Sequence, residues 1–286
     1  MEYFNKFIHE EQDIKSTNSY KLIKDTITPA KRKGSYEVMN LSSDTFKKPI
    51  LFIGICGGQA SGKKKISEYF HNHIKNSETI CEMSFFNPDE KKRKISKEDE
   101  NLIKDYDFYS KERRLYLIDR CNPDCYDYDK FYETLKCLSE EKQVKIPFFD
   151  EKKQKFDPEK DKIIDPIKTP LIIIDGYFIF RNQKIRDFLH LKIYKEVEDD
   201  IRLSRLILRE AEFLRNNVEA YNIYFSIYEK FYKISYDEYI ATYKKVANIL
   251  LPDYNLTEDN EVEGDETLEF LLSNLINYSK KRKKSN

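Results

Sequence analysis

Tryptophan is absent from this 286-residue chain, and glycine (7), cysteine (5) and methionine (3) are sparse. So little glycine leaves few places where the backbone can turn left-handed or let another group approach closely. An odd number of cysteines, with residues 1–15 too charged for a secretory leader, argues against a disulfide framework and for a reduced, cytoplasmic compartment. Apolar runs end at about eight residues, far short of the ~20 a spanning helix needs, so no membrane segment is expected. Net charge is missing too: 51 Lys+Arg balance 51 Asp+Glu. Without a basic excess, composition gives no reason to expect a nucleic-acid partner. What remains is a chain long enough for one large core with appendages, 36% charged and with a mean hydropathy of -0.75.

Four of the seven glycines fall between positions 54 and 62. They follow the apolar run Ile50-Leu51-Phe52-Ile53-Gly54-Ile55-Cys56 and lead into Lys65-Ile66-Ser67-Glu68-Tyr69-Phe70, which can continue as a helix. Strand, glycine-rich loop and helix in this order suit a phosphate: loop N–H groups cradle it and the helix N-terminus favours the anion. Gly57, Gly58, Ala60, Ser61, Gly62 and Lys63 complete the spacing G-x-x-x-x-G-K, in which the lysine reaches the β- and γ-phosphates. At the next position, where a Ser or Thr hydroxyl would hold Mg²⁺, stands Lys64.

Residues 1–49 lack a sustained period and read as an N-terminal extension. A helix to about residue 75 and a short strand at 79–84 make the order β-α-β. Residues 87–114 are polar, an insertion or helical flap, and 128–142 form an amphipathic helix. Residues 144–149 suggest an edge strand, since Pro147 cannot donate in a ladder. The continuous run Leu171-Ile172-Ile173-Ile174-Asp175-Gly176 has the form of a buried parallel strand ending in a carboxylate. Further elements are a strand at 191–197, a basic helix at 199–215, an aromatic-rich helix at 221–243 serving as core or subunit contact, and a strand at 246–251. Residues 255–286 combine an acidic segment, a short helix around 268–276 and a basic tail. Alternating strands and helices imply an α/β fold with a parallel sheet covered on both faces.

Gly57-Gly58-Gln59-Ala60-Ser61-Gly62-Lys63, Asn122-Pro123-Asp124-Cys125-Tyr126-Asp127-Tyr128-Asp129, Val144-Lys145-Ile146-Pro147, Ile174-Asp175-Gly176 and Arg202-Leu203-Ser204-Arg205 with Arg209 occur in that order. Together they resemble the uridine kinase family, within the phosphoribulokinase and uridine kinase group of P-loop kinases, over about residues 50–254. The resemblance implies a P-loop NTPase-type fold with a hairpin flap and a lid helix. It also implies ATP, normally with Mg²⁺, and γ-phosphoryl transfer to the 5′-hydroxyl of uridine or cytidine. It makes Asp175 a metal or catalytic carboxylate, with a helix-capping or turn Asp as the alternative. Arg202, Arg205 and Arg209 become phosphate contacts of the lid, or a salt-bridged surface. Asp124 becomes a substrate-positioning residue, or part of an Asx-turn. Phe149 and Gln154 stand where the family contacts the base.

Departures from the family concentrate on the chemistry. Met83 occupies the place of the catalytic Asp, Cys121 that of the ribose-binding Asp, and Leu206 that of a lid arginine, with Leu214 or Asn216 at a further lid position. Glu82 is the candidate substitute base, against a merely solvated glutamate. Removing a general base typically costs about 10²–10⁴ in rate, and losing a phosphate-stabilising arginine about 10³–10⁵. An ammonium held about 4 Å from Mg²⁺ would be repelled by roughly 8 kcal/mol at an effective dielectric of about 20, so Lys64 must swing away or replace the metal. The expected function is therefore a uridine/cytidine kinase-like nucleotide-binding protein with the family reaction weakened or lost. The alternative is a catalytically silent pseudokinase that acts as a binding or regulatory partner, as a homo-oligomer or with an active paralogue.

Overall fold

The computed structural model of the chain describes residues 50–87, 98, 101, 120–150, 153, 155–210, 214, 218–253 and 266–283. The expectations for 1–49, for most of the 87–114 flap, for Gln154 and for the acidic segment at 255–265 lie outside the described residues. The first strand, β1 (Leu51–Gly57), is buried at all seven positions, as its unbroken apolar run requires of a strand covered on both faces. Gly62, at φ 86°, starts helix α1 (Lys63–His73), whose Ile66, Ser67 and Phe70 face inward. Strand β2 (Ser77–Cys81) ends sooner than its composition suggests, and Glu82–Phe85 wind into a 3-10 turn. Glu82 therefore does not lie on a strand, and the alternation that would set it opposite Met83 does not apply.

Helix α2 (Tyr128–Ser139) begins at Asp127, whose carboxylate accepts the Lys130 N–H at 2.9 Å. The flap departs from the expected single edge strand. Strand β3 (Val144–Ile146) pairs antiparallel with β6 (Lys162–Ile164), while β4 (Phe149–Asp150) pairs with β5 (Lys155–Phe156). Pro147 separates the two ribbons because it has no N–H for a ladder. Asp161 accepts the Phe148 N–H across the break at 2.9 Å.

The main sheet resumes with β7 (Leu171–Gly176), followed by the short helix α3 (Gln183–Arg186) and β8 (Leu191–Lys195). Helix α4 (Asp199–Arg209) stops before residue 215. The aromatic stretch is not one helix: α5 (Val218–Ile227), a π-helical stretch (Tyr228–Lys233), α6 (Ile234–Glu238) and a 3-10 stretch (Ile240–Val246) follow one another. No glycine or proline marks these changes, so the sequence pattern carried no signal for them. Strand β9 (Ile249–Leu251) is shorter than expected, and helix α7 (Glu266–Lys283) is longer. All five cysteines are free thiols.

The strand order is β2-β7-β1-β8-β9, parallel throughout. From β1 the chain crosses to β2 on one side, and from β7 it crosses to β8 on the other. Right-handed crossovers in opposite directions put α1 and α3 on opposite faces. In such sheets the crevice beyond the carboxyl ends, at the reversal of strand order, is where ligands bind. Here that crevice lies beyond the ends of β1 and β7, where Cys56 pairs with Gly176.

A Cβ at Gly176 would come within 2.5 Å of the Glu82 side chain and 2.6 Å of Ile179. Gly176→Ala is expected to destabilise the protein by about 1–3 kcal/mol through overpacking, measured by urea unfolding. An unchanged midpoint would show that Glu82 moves freely.

Candidate functional site

Lys63 leaves the first turn of α1 and turns back over the loop. It is 7% exposed, donates from Nζ to the Gly58 carbonyl at 2.7 Å and stands 4.1 Å from the centre of the Tyr177 ring. Burial lowers its pKa to about 8, although Cys56, Asp175 and Glu82 oppose the shift. Tyr177 went unnoticed in the sequence; its only signal is that it directly follows Asp175-Gly176.

Two buried carboxylates face this ammonium. Asp175 closes β7 and neighbours Ile55 and Cys81 on the flanking strands. Burial raises its pKa, while Lys63, then Ser67 and Cys81, then Lys64, pull it back. Glu82, 1% exposed, opens the 3-10 turn after β2. Its Oε2 accepts the Tyr177 N–H at 2.7 Å and the Phe178 N–H at 3.0 Å, whereas Oε1 has no partner among the described residues. Burial lifts its pKa to about 7, against the pull of those two N–H groups and Lys63. Met83 is buried beside it with the Tyr126 hydroxyl 3.5 Å from its sulfur.

The three arginines expected to form a lid share α4 but not a site. Arg202 is 2% exposed, stacks at 3.6 Å on Tyr236, donates from Nε to the Val197 carbonyl at 3.2 Å and pairs with Asp199. It packs so closely on the loop that a Cβ at Gly58 would meet its guanidinium at 2.5 Å. Arg205 instead grips Asp253 through both nitrogens, at 3.2 and 2.9 Å, and Lys195 joins the same carboxylate at 3.3 Å. Arg209 is exposed. Leu206, Leu214 and Cys121, which looked like separate losses, belong to one apolar cluster with Tyr224, Tyr228 and neighbours, and Ala60 of the loop packs against it. Gln59 donates to the Cys121 sulfur at 3.7 Å.

A cleft of about 590 Å³ opens beside the loop region of Asn87, lined by Asp124, Tyr126, Asp127, Tyr128 and Asp129. Asp124 pairs with Arg181 at 3.3 Å, and its N–H is accepted by Asn122 at 2.9 Å in an Asx-turn. Phe149, on β4 of the flap, is buried edge-on to Phe86 (5.4 Å) and Phe156 (5.2 Å).

Ser61 Oγ and Gln59 Oε1 are buried at the loop with no partner among the described residues. Such groups cost about 1–3 kcal/mol each unless a ligand or water satisfies them, so the loop fits a nucleotide phosphate chain. Mg²⁺ is a different matter. Lys64, in the place of the coordinating hydroxyl, is exposed, and an ammonium has no acceptor to offer a metal. The loop's side chains do not fit a metal held in the usual way.

The sequence model of the phosphoribulokinase / uridine kinase family matches residues 52–259. Uridine-cytidine kinase B of Dictyostelium discoideum is 27% identical over 86% of this chain and 90% of its own length. Uridine kinase of Borrelia duttonii is 27% identical over 71% of this chain and 87% of its own. Uridine kinase-like protein 5 of Arabidopsis thaliana is 26% identical over 82% of this chain, which spans 44% of that longer protein. Among the described residues no helix is long and apolar enough to cross a membrane.

The two shifted groups give stability an unusual pH profile. Between the ordinary glutamate value of 4.5 and about 7 the folded state holds the Glu82 proton that the unfolded chain releases, so stability falls as pH rises. Between about 8 and 10.5 the unfolded chain holds the Lys63 proton that the folded state releases, so stability rises again. Thermal unfolding should therefore give a minimum in Tm near neutrality. Glu82→Gln should flatten the acidic limb, worth about 3 kcal/mol at 1.36 kcal/mol per pKa unit. A limb that survives the substitution would assign it to another group.

Proposed function

Because the chain belongs to the phosphoribulokinase/uridine kinase family, we propose that it binds ATP at residues 57–63 and slowly phosphorylates the 5′-hydroxyl of uridine or cytidine, with Glu82 as proton acceptor. The observation that carries this is the Glu82 carboxylate. Two backbone N–H groups fix one oxygen, the other is buried with no hydrogen-bond partner among the described residues, and burial raises the pKa to about 7. A general base works best when its pKa lies near the operating pH. Tyr126 and Tyr128 line the cleft, and the Glu82 charge adds to the upward push that burial gives both phenols, which supports an acceptor on that side of the carboxylate.

ATP supplies the γ-phosphoryl. Glu82 takes the proton of the acceptor hydroxyl as the new O–P bond forms and the bond to the β-phosphate oxygen breaks. Lys63 and Arg202, on either side of Gly58, offset the negative charge of the phosphates. Asp175 stands next to Lys63 and holds the ammonium charged and in place. Asp124 and Phe149 border the acceptor side; Arg205 secures α4 to Asp253 rather than touching phosphate. With leucines at two lid positions, transition-state charge is less fully met, which is why the rate is low. The five free thiols suit a cytoplasmic protein.

A second reading is favoured by Met83, whose thioether stands where the resemblance puts the base and cannot take a proton. In that case the protein is a silent nucleotide-binding partner, self-associated or paired with an active paralogue.

ADP release with ATP and uridine or cytidine separates the two. Slow turnover, below the roughly 1 s⁻¹ at the lower end for kinases, is expected. Glu82→Gln should cut it by about 10²–10⁴ without weakening ATP binding, and Met83→Asp should raise it. Bound ATP with no turnover in the wild type supports the silent reading, and full turnover in Glu82→Gln removes Glu82 from the role.

A further inference from the structure

The nucleotide reading of the loop leaves the charge at the start of α1 unexplained. Lys63, Lys64 and Lys65 are consecutive there, with no acidic residue in the first turn. Cations at a helix N-terminus oppose the helix dipole, which favours anions at that end. Lys64 and Lys65 are exposed, and neither has an ion-pair partner among the described residues. Arg202 adds a fourth cation against Gly58, itself paired with Asp199. The nearby acids, Asp175 and Glu82, are buried and both feel the Lys63 charge, and Lys64 acts on Asp175 more weakly than Lys63 does. So dense a positive field is suited to the full charge of a free triphosphate, from which magnesium would cancel two negative charges.

Position 64 sharpens the point. In a G-x-x-x-x-G-K-[ST] loop the hydroxyl after the lysine lies on the metal, and here the same backbone position carries an ammonium. Its charge reaches Asp175, the carboxylate on the metal side of such a loop. A flexible four-carbon stem with a compact charge can lie where the ion would, contacting β- and γ-phosphate oxygens directly.

We infer that this loop takes its nucleotide as the metal-free triphosphate, with the Lys64 ammonium in place of Mg²⁺. The inference rests on the loop being a nucleotide site, and it adds which ionic form the site selects. Lys64 repels the ion and attracts the anion, so magnesium competes for ATP in solution rather than bridging it to the protein.

Isothermal titration calorimetry of the full chain with ATP tests this, in EDTA and in millimolar MgCl₂ at matched ionic strength. The wild type is expected to bind ATP roughly tenfold tighter in EDTA, a ratio equivalent to about 1.4 kcal/mol. Lys64→Thr, which restores the hydroxyl at an exposed position, should invert the ratio so that magnesium tightens binding. Lys65→Thr should weaken both conditions alike and leave the ratio unchanged. Wild-type binding that requires magnesium overturns the inference while leaving the nucleotide site intact. A ratio that Lys64→Thr does not change, or that Lys65→Thr changes equally, overturns the assignment to Lys64. Absence of ATP binding in both buffers removes the nucleotide reading itself, and this inference with it.

Discussion

A single buried ammonium organises the carboxyl-terminal edge of the sheet. Lys63 has exchanged water for the Gly58 carbonyl, the Tyr177 ring and the fields of Glu82 and Asp175. A desolvated cation is costly unless opposite charge and hydrogen bonds surround it. That need explains why the ends of three strands converge here: β1 delivers the loop, β2 delivers Glu82 and β7 delivers Asp175. Each carboxylate is in turn buried and pushed upward in pKa. The three groups can coexist only because they neutralise one another, so a change at any one of them alters the others.

Around this centre the unusual residues are not scattered losses. Leu206, Leu214 and Cys121 meet in one apolar cluster against Ala60. Burying them together gains what separate exposure would forfeit, at roughly 25 cal/mol per Å² of apolar surface. The cluster keeps α4 on the loop, and Arg202 seals the contact by stacking on Tyr236 beside Gly58. A lid held by apolar packing opens less readily than one held by exposed ion pairs.

The phosphate loop, the α/β class and the carboxylate at the end of β7 were legible because each rests on local chemistry. Glycine concentration, an unbroken apolar run and a terminal Asp mean much the same in any context. Glu82 was a candidate base, but its environment was not readable: on a strand at 79–84 it would face away from Met83, and the 3-10 turn decides otherwise. The divided aromatic stretch after Val218 and the two ribbons of the flap were likewise hidden, the first for want of any breaker residue.

By itself the sequence determined that a strand, a glycine-rich loop and a helix follow one another, that Lys64 comes directly after Lys63 and that Met83 comes directly after Glu82. These follow from residue identity, which folding does not change. Only the tertiary structure decided that Arg202, and not Arg205 or Arg209, reaches the loop. It alone decided that Glu82 is buried within the field of Lys63, with one oxygen unpartnered among the described residues and a pKa near neutrality. Those properties depend on burial and on neighbours distant in the chain, and desolvation by such neighbours is not encoded at any one position. Lys63 was a motif letter in the sequence; packing made it the charge around which the site is balanced.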